Sequence, residues 1–373
     1  MKRIILIICG LIPLVASAQD VNAKVFKVEG EINLDAGRLD IEMAENQSLY
    51  PDGFKNFSVA IKNGKFLITG KTKYPIWVSF KVGDKYSSNS TAIAPGEQMI
   101  SLNVDSNNSS PKNTNSVMAD EGEYSYYLKD AALKTQLYRE HYDSLRVIYP
   151  GNFPGEVEYA SRKELKDSYA ANDIGMLNFI KANPNSYYAL LKLYHIVDFG
   201  YNQTLGQAYE SFSAALKKSP YGKLLLKKIN VARQIAMGSQ LPELNVKDQD
   251  GGKIDFQRYS RKKYVLIDLW YSHCAPCIAQ FPDLKDIYNE FSGKGFEILS
   301  ISTDKEKYVN DWKAVILKHK LPWPQYLDLN GIEAHRFNVK IYPSSLLVDQ
   351  KGRIVATDIS PIELKYFLGE NLK

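Results

Sequence analysis

Three cysteines among 373 residues are too few for a disulfide-stapled scaffold, which carries them densely. Histidine is scarce too, at five residues. No second Cys-x-x-Cys and no His-x3-His pair accompanies Cys274 and Cys277, so a structural zinc site, which needs four ligands, lacks half of its set. His141 and His195 have no Cys, His or carboxylate at ligand spacing and read as ordinary core or surface histidines. Neither sign of charge dominates, with 47 Lys and Arg against 42 Asp and Glu, which gives no argument for nucleic acid or anionic lipid as a partner. The apolar run at the start, from Ile4 to Val15, falls short of the ~20 residues of a membrane-spanning helix, and Pro13 interrupts it.

What is there is material for several packed domains, with 45% hydrophobic and 24% charged residues. Lys2, Arg3, the apolar run and Ala16-Ser17-Ala18 ahead of Gln19 form the pattern of a cleaved secretory signal peptide, residues 1–18. Its removal takes two cations and no acid, so the formal charge falls from +5 to +3 (5 minus 2). Cys9 leaves with it, since the preceding Ile8 does not suit a lipobox. The periplasmic chain that this predicts keeps only Cys274 and Cys277, a pair better suited to chemistry than to stapling.

Residues 19–104 alternate apolar and polar positions in short runs such as VFKVEGEI, NFSVAI and GKFLITG, separated by turn signals that include Asn63-Gly64. That pattern predicts the hairpins of an all-β domain. Residues 105–118 are rich in Asn and Ser and read as a polar linker. From 119 to 238 Tyr and Leu recur at three- and four-residue steps, which predicts an α-helical region with the tyrosines filling its core. Lys223 and Lys227 fall on a solvated helix face.

Residues 239–373 alternate short apolar strands, KYVLIDLW, FEILSIS and SSLLVD, with helical segments, an α/β layout with a mixed sheet. One helix is expected to start at the cysteines and run through IAQFPDLKDIYNEF. A second is expected after Thr303-Asp304-Lys305-Glu306, which fits a capping box.

Cys274-Ala275-Pro276-Cys277 thus sits between a buried strand and a helix. Free N–H groups at the helix start stabilise a thiolate on Cys274, which can attack a disulfide, and Cys277, one turn on, can resolve the mixed disulfide. Pro276 costs nothing in a first turn and stiffens the segment. An inert bridge would close too short a loop to stabilise the fold much. A peroxiredoxin would carry Thr three residues before its cysteine, where this chain has Tyr271.

LPELNVKDQDGG, VLIDLWYSHCAPC with Pro282 after it, ISTDKEKYVNDW and FNVKIYPSSLLVDQKGRIV occur in an order that resembles the TlpA-like branch of the thioredoxin superfamily, extracytoplasmic thiol-disulfide oxidoreductases. The resemblance implies a thioredoxin-like domain with Cys274 as nucleophile, Cys277 as resolving thiol and Pro343 as the cis-proline facing them. It implies that the backbone at Tyr342 pairs with an extended client segment. Trp270, His273 and Pro276 are expected to meet the client as well. Asp268, six positions before Cys274, resembles the buried acid of thioredoxin, whose raised pKa would let it take the Cys277 proton; the other reading is a plain strand-end polar residue.

His273 departs from the family's usual Trp, and Gln280 from a common Glu. A protonated His273 would stabilise the Cys274 thiolate; a surface substitution is the other reading. NGKFLITG and APGEQ resemble, more weakly, the β-rich domain and helical spacer that precede such modules in secreted proteins of Bacteroidota, and name no ligand. The expected partners are protein thiol and disulfide clients and a membrane thiol electron donor, without nucleic acid; the dithiol needs no added cofactor and no metal. A disulfide oxidase or isomerase would use the same residues, and a cell-envelope binding protein would work through its β-rich domain instead.

Overall fold

The computed structural model describes residues 23–43 and 56–372, so the expected signal peptide lies outside the described residues. The chain divides into two compact units, 1–120 and 121–373.

Among the described residues the first unit is a sheet of β1 (Lys24–Ile32), β2 (Ala36–Met43), β3 (Phe57–Lys62), β4 (Lys65–Thr72), β5 (Ile76–Val82), β6 (Tyr86–Ser87), β7 (Thr91–Ile93), β8 (Gly96–Leu102) and β9 (Lys112–Asn113). The spatial order is β6-β5-β2-β3-β4-β1-β8-β9, with β7 beside β5, and only the β1–β8 pair is parallel. The two-residue alternation of β1 turns Phe26, Val28 and Ile32 inward. Asn63 and Gly64, both at positive φ (51° and 70°), close the β3–β4 hairpin as the sequence predicts. Gly30 lies opposite Phe66, and a Cβ at Gly30 would fall 1.9 Å from the Phe66 ring. That ring occupies the space the glycine leaves open.

The polar stretch 105–118 differs from the expected linker. Asn108 N–H bonds to Ser87 O at 2.8 Å, Asn113 donates to Ala92 O at 2.7 Å, and Asn115 donates to Ala92 O at 2.5 Å and Gln98 Oε1 at 2.8 Å. The asparagines that looked like solvent filler satisfy backbone groups of the sheet.

The second unit begins with helices: α1 (Ser116–Tyr127), which crosses into it, then α2 (Lys129–Ile148), α3 (Gly155–Ala182), α4 (Tyr187–Ile196), α5 (Gln203–Glu210), α6 (Ala214–Lys218) and α7 (Pro220–Arg233). Ser186, Asn202 and Ser219 cap α4, α5 and α7, accepting backbone N–H groups three residues on, and Pro220 takes the first position of α7. The tyrosines fill the core, with Tyr124 edge-on to Phe179 (5.2 Å) and to Tyr188 (5.4 Å). His141 does meet a carboxylate, Glu164 at 2.8 Å, which a separation of 23 residues hid from the sequence.

A six-stranded mixed sheet follows, in the order β10 (Lys247–Asp248), β13 (Gln325–Leu327), β12 (Phe296–Ser302), β11 (Tyr264–Trp270), β14 (Ser344–Asp349) and β15 (Ile354–Thr357). Its helices are α8 (Ala275–Ala279), α9 (Phe281–Phe291), α10 (Val309–His319), α11 (Ile332–Arg336) and α12 (Pro361–Asn371). Central strand β11 is buried on both faces: Leu266 and Trp270 pack with residues of α9, α10 and α12, and Val265, Ile267 and Leu269 with Ala334 of α11.

Three expectations change. The helix at the cysteines breaks at Gln280 into α8 and α9, with Pro282 in the first turn of the latter. Thr303 to Glu306 form no capping box; α10 starts at Val309 after a 3-10 turn, because Asp304 turns inward. The helical region is not a body apart from the sheet that follows it. Tyr159 of α3 stacks on Tyr366 of α12 at 4.5 Å, and Lys166 meets Glu363 at 2.7 Å.

Candidate active site at the Cys274–Cys277 pair

Strand β11 delivers the chain to Cys274, whose N–H closes a turn onto Tyr271 O at 2.9 Å. Cys274 is the N-cap of α8, and its Sγ accepts the N–H of Cys277 at 3.2 Å. The two sulfurs are joined as a disulfide, and both residues are buried at 2% exposure. Ala275 and Pro276, between them, face outward.

The segment carrying Pro343 reaches the same end of the sheet. Strand β14 runs antiparallel to β11 with Ser344 opposite Leu269, which sets Pro343 beside the strand's last residue. The Tyr342-Pro343 peptide is cis, and the Tyr342 ring meets Tyr271 edge-on at 5.4 Å. The structure therefore brings Tyr342 and Pro343 to the end of β11 from which the chain continues to Cys274, and Tyr342 packs against the cluster that holds both cysteines.

Asp268 shares the face of β11 that carries Leu266 and Trp270, the face on which both cysteines pack. It is 4% exposed, and burial pushes its carboxyl up to about 6 against the pull of a 2.7 Å hydrogen bond from Ser300. Ser300 in turn accepts the Trp323 indole N–H at 2.8 Å. Asp268 is thus a buried carboxyl and not a solvent-facing one at the strand end.

Trp270 is a correction. It is completely buried, edge-on to Phe281 at 5.2 Å, so it supports the site from beneath and does not reach a client. His273 is exposed: its Nδ1 lies 3.0 Å from Ser272 Oγ, its Nε2 3.4 Å from Asp311, and its ring 4.5 Å from that of Tyr308.

The sequence reading passed over the group that holds the loop before Cys274. Asp304, 2% exposed, accepts the N–H (2.8 Å) and hydroxyl (2.7 Å) of Ser272 and the hydroxyl of Ser302 (2.6 Å). The signal was present as a carboxylate just past a buried strand, in line with no helical face. Among the described residues no cluster of three or more His, Cys, Asp and Glu could hold a metal ion, and no helix is long and apolar enough to cross a membrane.

Residues 237–357 match the model of the AhpC/TSA family. The thiol-disulfide oxidoreductase ResA of Bacillus thuringiensis is 26% identical over 140 residues, 38% of this chain and 79% of the relative. The thioredoxin-like protein YneN of Bacillus subtilis is 31% identical over 120 residues, 32% of this chain and 69% of that protein. The chain belongs to the thioredoxin-like thiol-disulfide oxidoreductases. The crystal structure of a thioredoxin domain of such an oxidoreductase from Bacteroides vulgatus is 30% identical and covers 37% of this chain and 99% of that domain, with a TM-score of 0.34. The family match lies in the thioredoxin-like part, residues 237–357, and does not extend to the β-rich unit.

Proposed function

We propose that this oxidoreductase works outside the cytoplasm as a reductase of protein disulfides, with Cys274 and Cys277 as its redox centre. A membrane-borne dithiol gives the pair two electrons and leaves oxidised. Cys274, as thiolate, then attacks one sulfur of a client disulfide; a Cys274–client bond forms, and the other client sulfur leaves as a thiolate that takes a proton from water. Cys277 attacks Cys274 in turn, restoring the intramolecular bond and releasing the client as a dithiol. Asp268 accepts the Cys277 proton, a role suited to a carboxyl raised to about 6 by burial.

The observation that supports this reading most directly is the pairing of Cys274 Sγ with the Cys277 N–H at 3.2 Å at the start of α8. That donor favours the thiolate of the attacking residue over the thiol. The Tyr342 backbone pairs with an extended client segment, and the exposed Pro276 and His273 border it. Tyr271 occupies the position where a peroxidatic site needs Thr, which argues for a disulfide as the oxidant. The leader pattern at residues 1–18 and the absence of cysteines other than the pair from the rest of the chain support the extracytoplasmic setting.

Variants that keep one thiol test the assignment. Cys277→Ser should accumulate a mixed disulfide with a client peptide through Cys274, seen by mass spectrometry, and Cys274→Ser should not. Equal trapping by both variants would remove the assignment of roles.

A further inference from the structure

The loop that leads to Pro343 is held from outside the thioredoxin-like part. Asp198 lies in the 3-10 turn Val197–Phe199 that follows α4. One of its carboxylate oxygens is 2.7 Å from Lys228 Nζ, and that side chain, 7% exposed, also donates to Tyr194 O at 2.6 Å. The other oxygen is 2.5 Å from Lys340 Nζ. Asn338 Nδ2 adds contacts to Val197 O at 3.4 Å and to Asp198 Oδ1 at 3.5 Å. Asn338 itself is left-handed, with φ at 61°, so the chain changes course where these contacts fasten it.

The arrangement has a buried side and an exposed side. Lys228 is nearly sealed from water, and its charge fixes Asp198, since moving the carboxylate would strip a buried cation of its counter-charge. Lys340, with 48% of its side chain exposed, is the reaching partner. Two residues beyond it is Tyr342, whose ring meets that of Tyr271, itself three positions before Cys274.

We propose that Asp198 is a positioning residue for client docking: through Lys340 it lets the helical region set the loop 338–343 against which a client strand pairs. This rests on the reductase reading given above. It gives the helices a part in selecting protein clients while leaving the chemistry at sulfur to Cys274 and Cys277.

The test compares two oxidants on the full mature chain: insulin, whose disulfide must be presented by a peptide backbone, and dithiobis(nitrobenzoate), a small aromatic disulfide with no backbone to pair. Lys340→Met removes the ion pair to the loop and keeps the Asn338 contacts and the buried Asp198–Lys228 pair, and Lys340→Arg keeps a charge for Asp198. Lys340→Met should raise KM for insulin by about two- to fivefold, the range open to a half-exposed ion pair. It should leave kcat, the rate with the small disulfide and the reduction potential as in the wild type, and Lys340→Arg should restore most of the KM. Insulin kinetics in Lys340→Met equal to wild type, or a loss shared by both oxidants, would overturn the proposal. A wild-type chain that reduces the small disulfide but not insulin would overturn the reductase reading itself, and the proposal with it.

Discussion

The Ser300 hydroxyl donates to Asp268 at 2.7 Å and accepts from Trp323 at 2.8 Å, so one small side chain ties an indole to a carboxyl that burial has pushed up to about 6. Replacing Ser300 by Ala removes the group that favours the charged form and leaves desolvation unopposed. The Asp268 pKa should rise further, by about one unit, since a hydrogen bond to a charged group is worth ~1.5–3 kcal/mol and part of it is recovered by relaxation. The pH dependence of kcat/KM for disulfide reduction reads this directly: its acidic limb should move to higher pH in Ser300→Ala.

Asp268 should also limit stability. Its folded-state pKa lies above its ordinary value of 3.8, so the folded state holds the proton more tightly than the unfolded one. Stability from this group is full below pH 3.8 and is lost as pH rises through about 6. The difference corresponds to ~3 kcal/mol at one pKa unit per ~1.4 kcal/mol. Asp268→Asn should therefore be more stable than wild type at pH 8 by up to ~3 kcal/mol, with the gain fading toward pH 4; urea denaturation at the two pH values checks it.

Asp304→Ala should loosen the loop that presents Cys274. The buried carboxylate accepts three hydrogen bonds from Ser272 and Ser302, and removing it takes away all three, the one from the Ser272 N–H included. A loss of ~2–4 kcal/mol in urea is expected, with hydrogen exchange at Ser272 N–H sharply faster. Unchanged exchange there would mean that the loop is held by other contacts.

In the β-rich unit, Gly30→Ala should destabilise by ~1–3 kcal/mol, because its Cβ would meet the buried Phe66 ring at 1.9 Å. Thermal unfolding of the isolated change and of Gly30→Ala with Phe66→Leu separates overpacking from strand propensity. The second variant should recover part of the loss.

The elements most legible in the sequence were those set by local pattern: the Asn63-Gly64 hairpin, the doubly buried β11, and a dithiol at a strand-to-helix junction. Ser360 to Glu363 fits the same Ser/Thr-x-x-Glu capping pattern as Thr303 to Glu306, and only tertiary packing chooses between the two. Ser360 and Glu363 form the box at α12, whereas Thr303 and Glu306 do not, because Asp304 between them is drawn under Ser272 and Ser302. Trp270 illustrates the opposite error: adjacency to the cysteines suggested client contact, but strand alternation turns it to the core with Leu266. Asp198 with Lys340, and Asp268 with Ser300, were not readable at all, since each pair is far apart in sequence and meets only after the helices and strands have packed.

The reduction potential of the Cys274/Cys277 pair tests the central claim most directly. The chain without residues 1–18 is equilibrated in dithiothreitol or glutathione buffers and its free thiols are counted. The reductase reading expects one reversible two-electron transition near ~−270 mV, where a thioredoxin-type reductant lies, and a value near ~−120 mV would make the protein a thiol oxidant instead. A pair that stays fully oxidised or fully reduced across the buffer range would contradict the account of Cys274 and Cys277 as a redox centre.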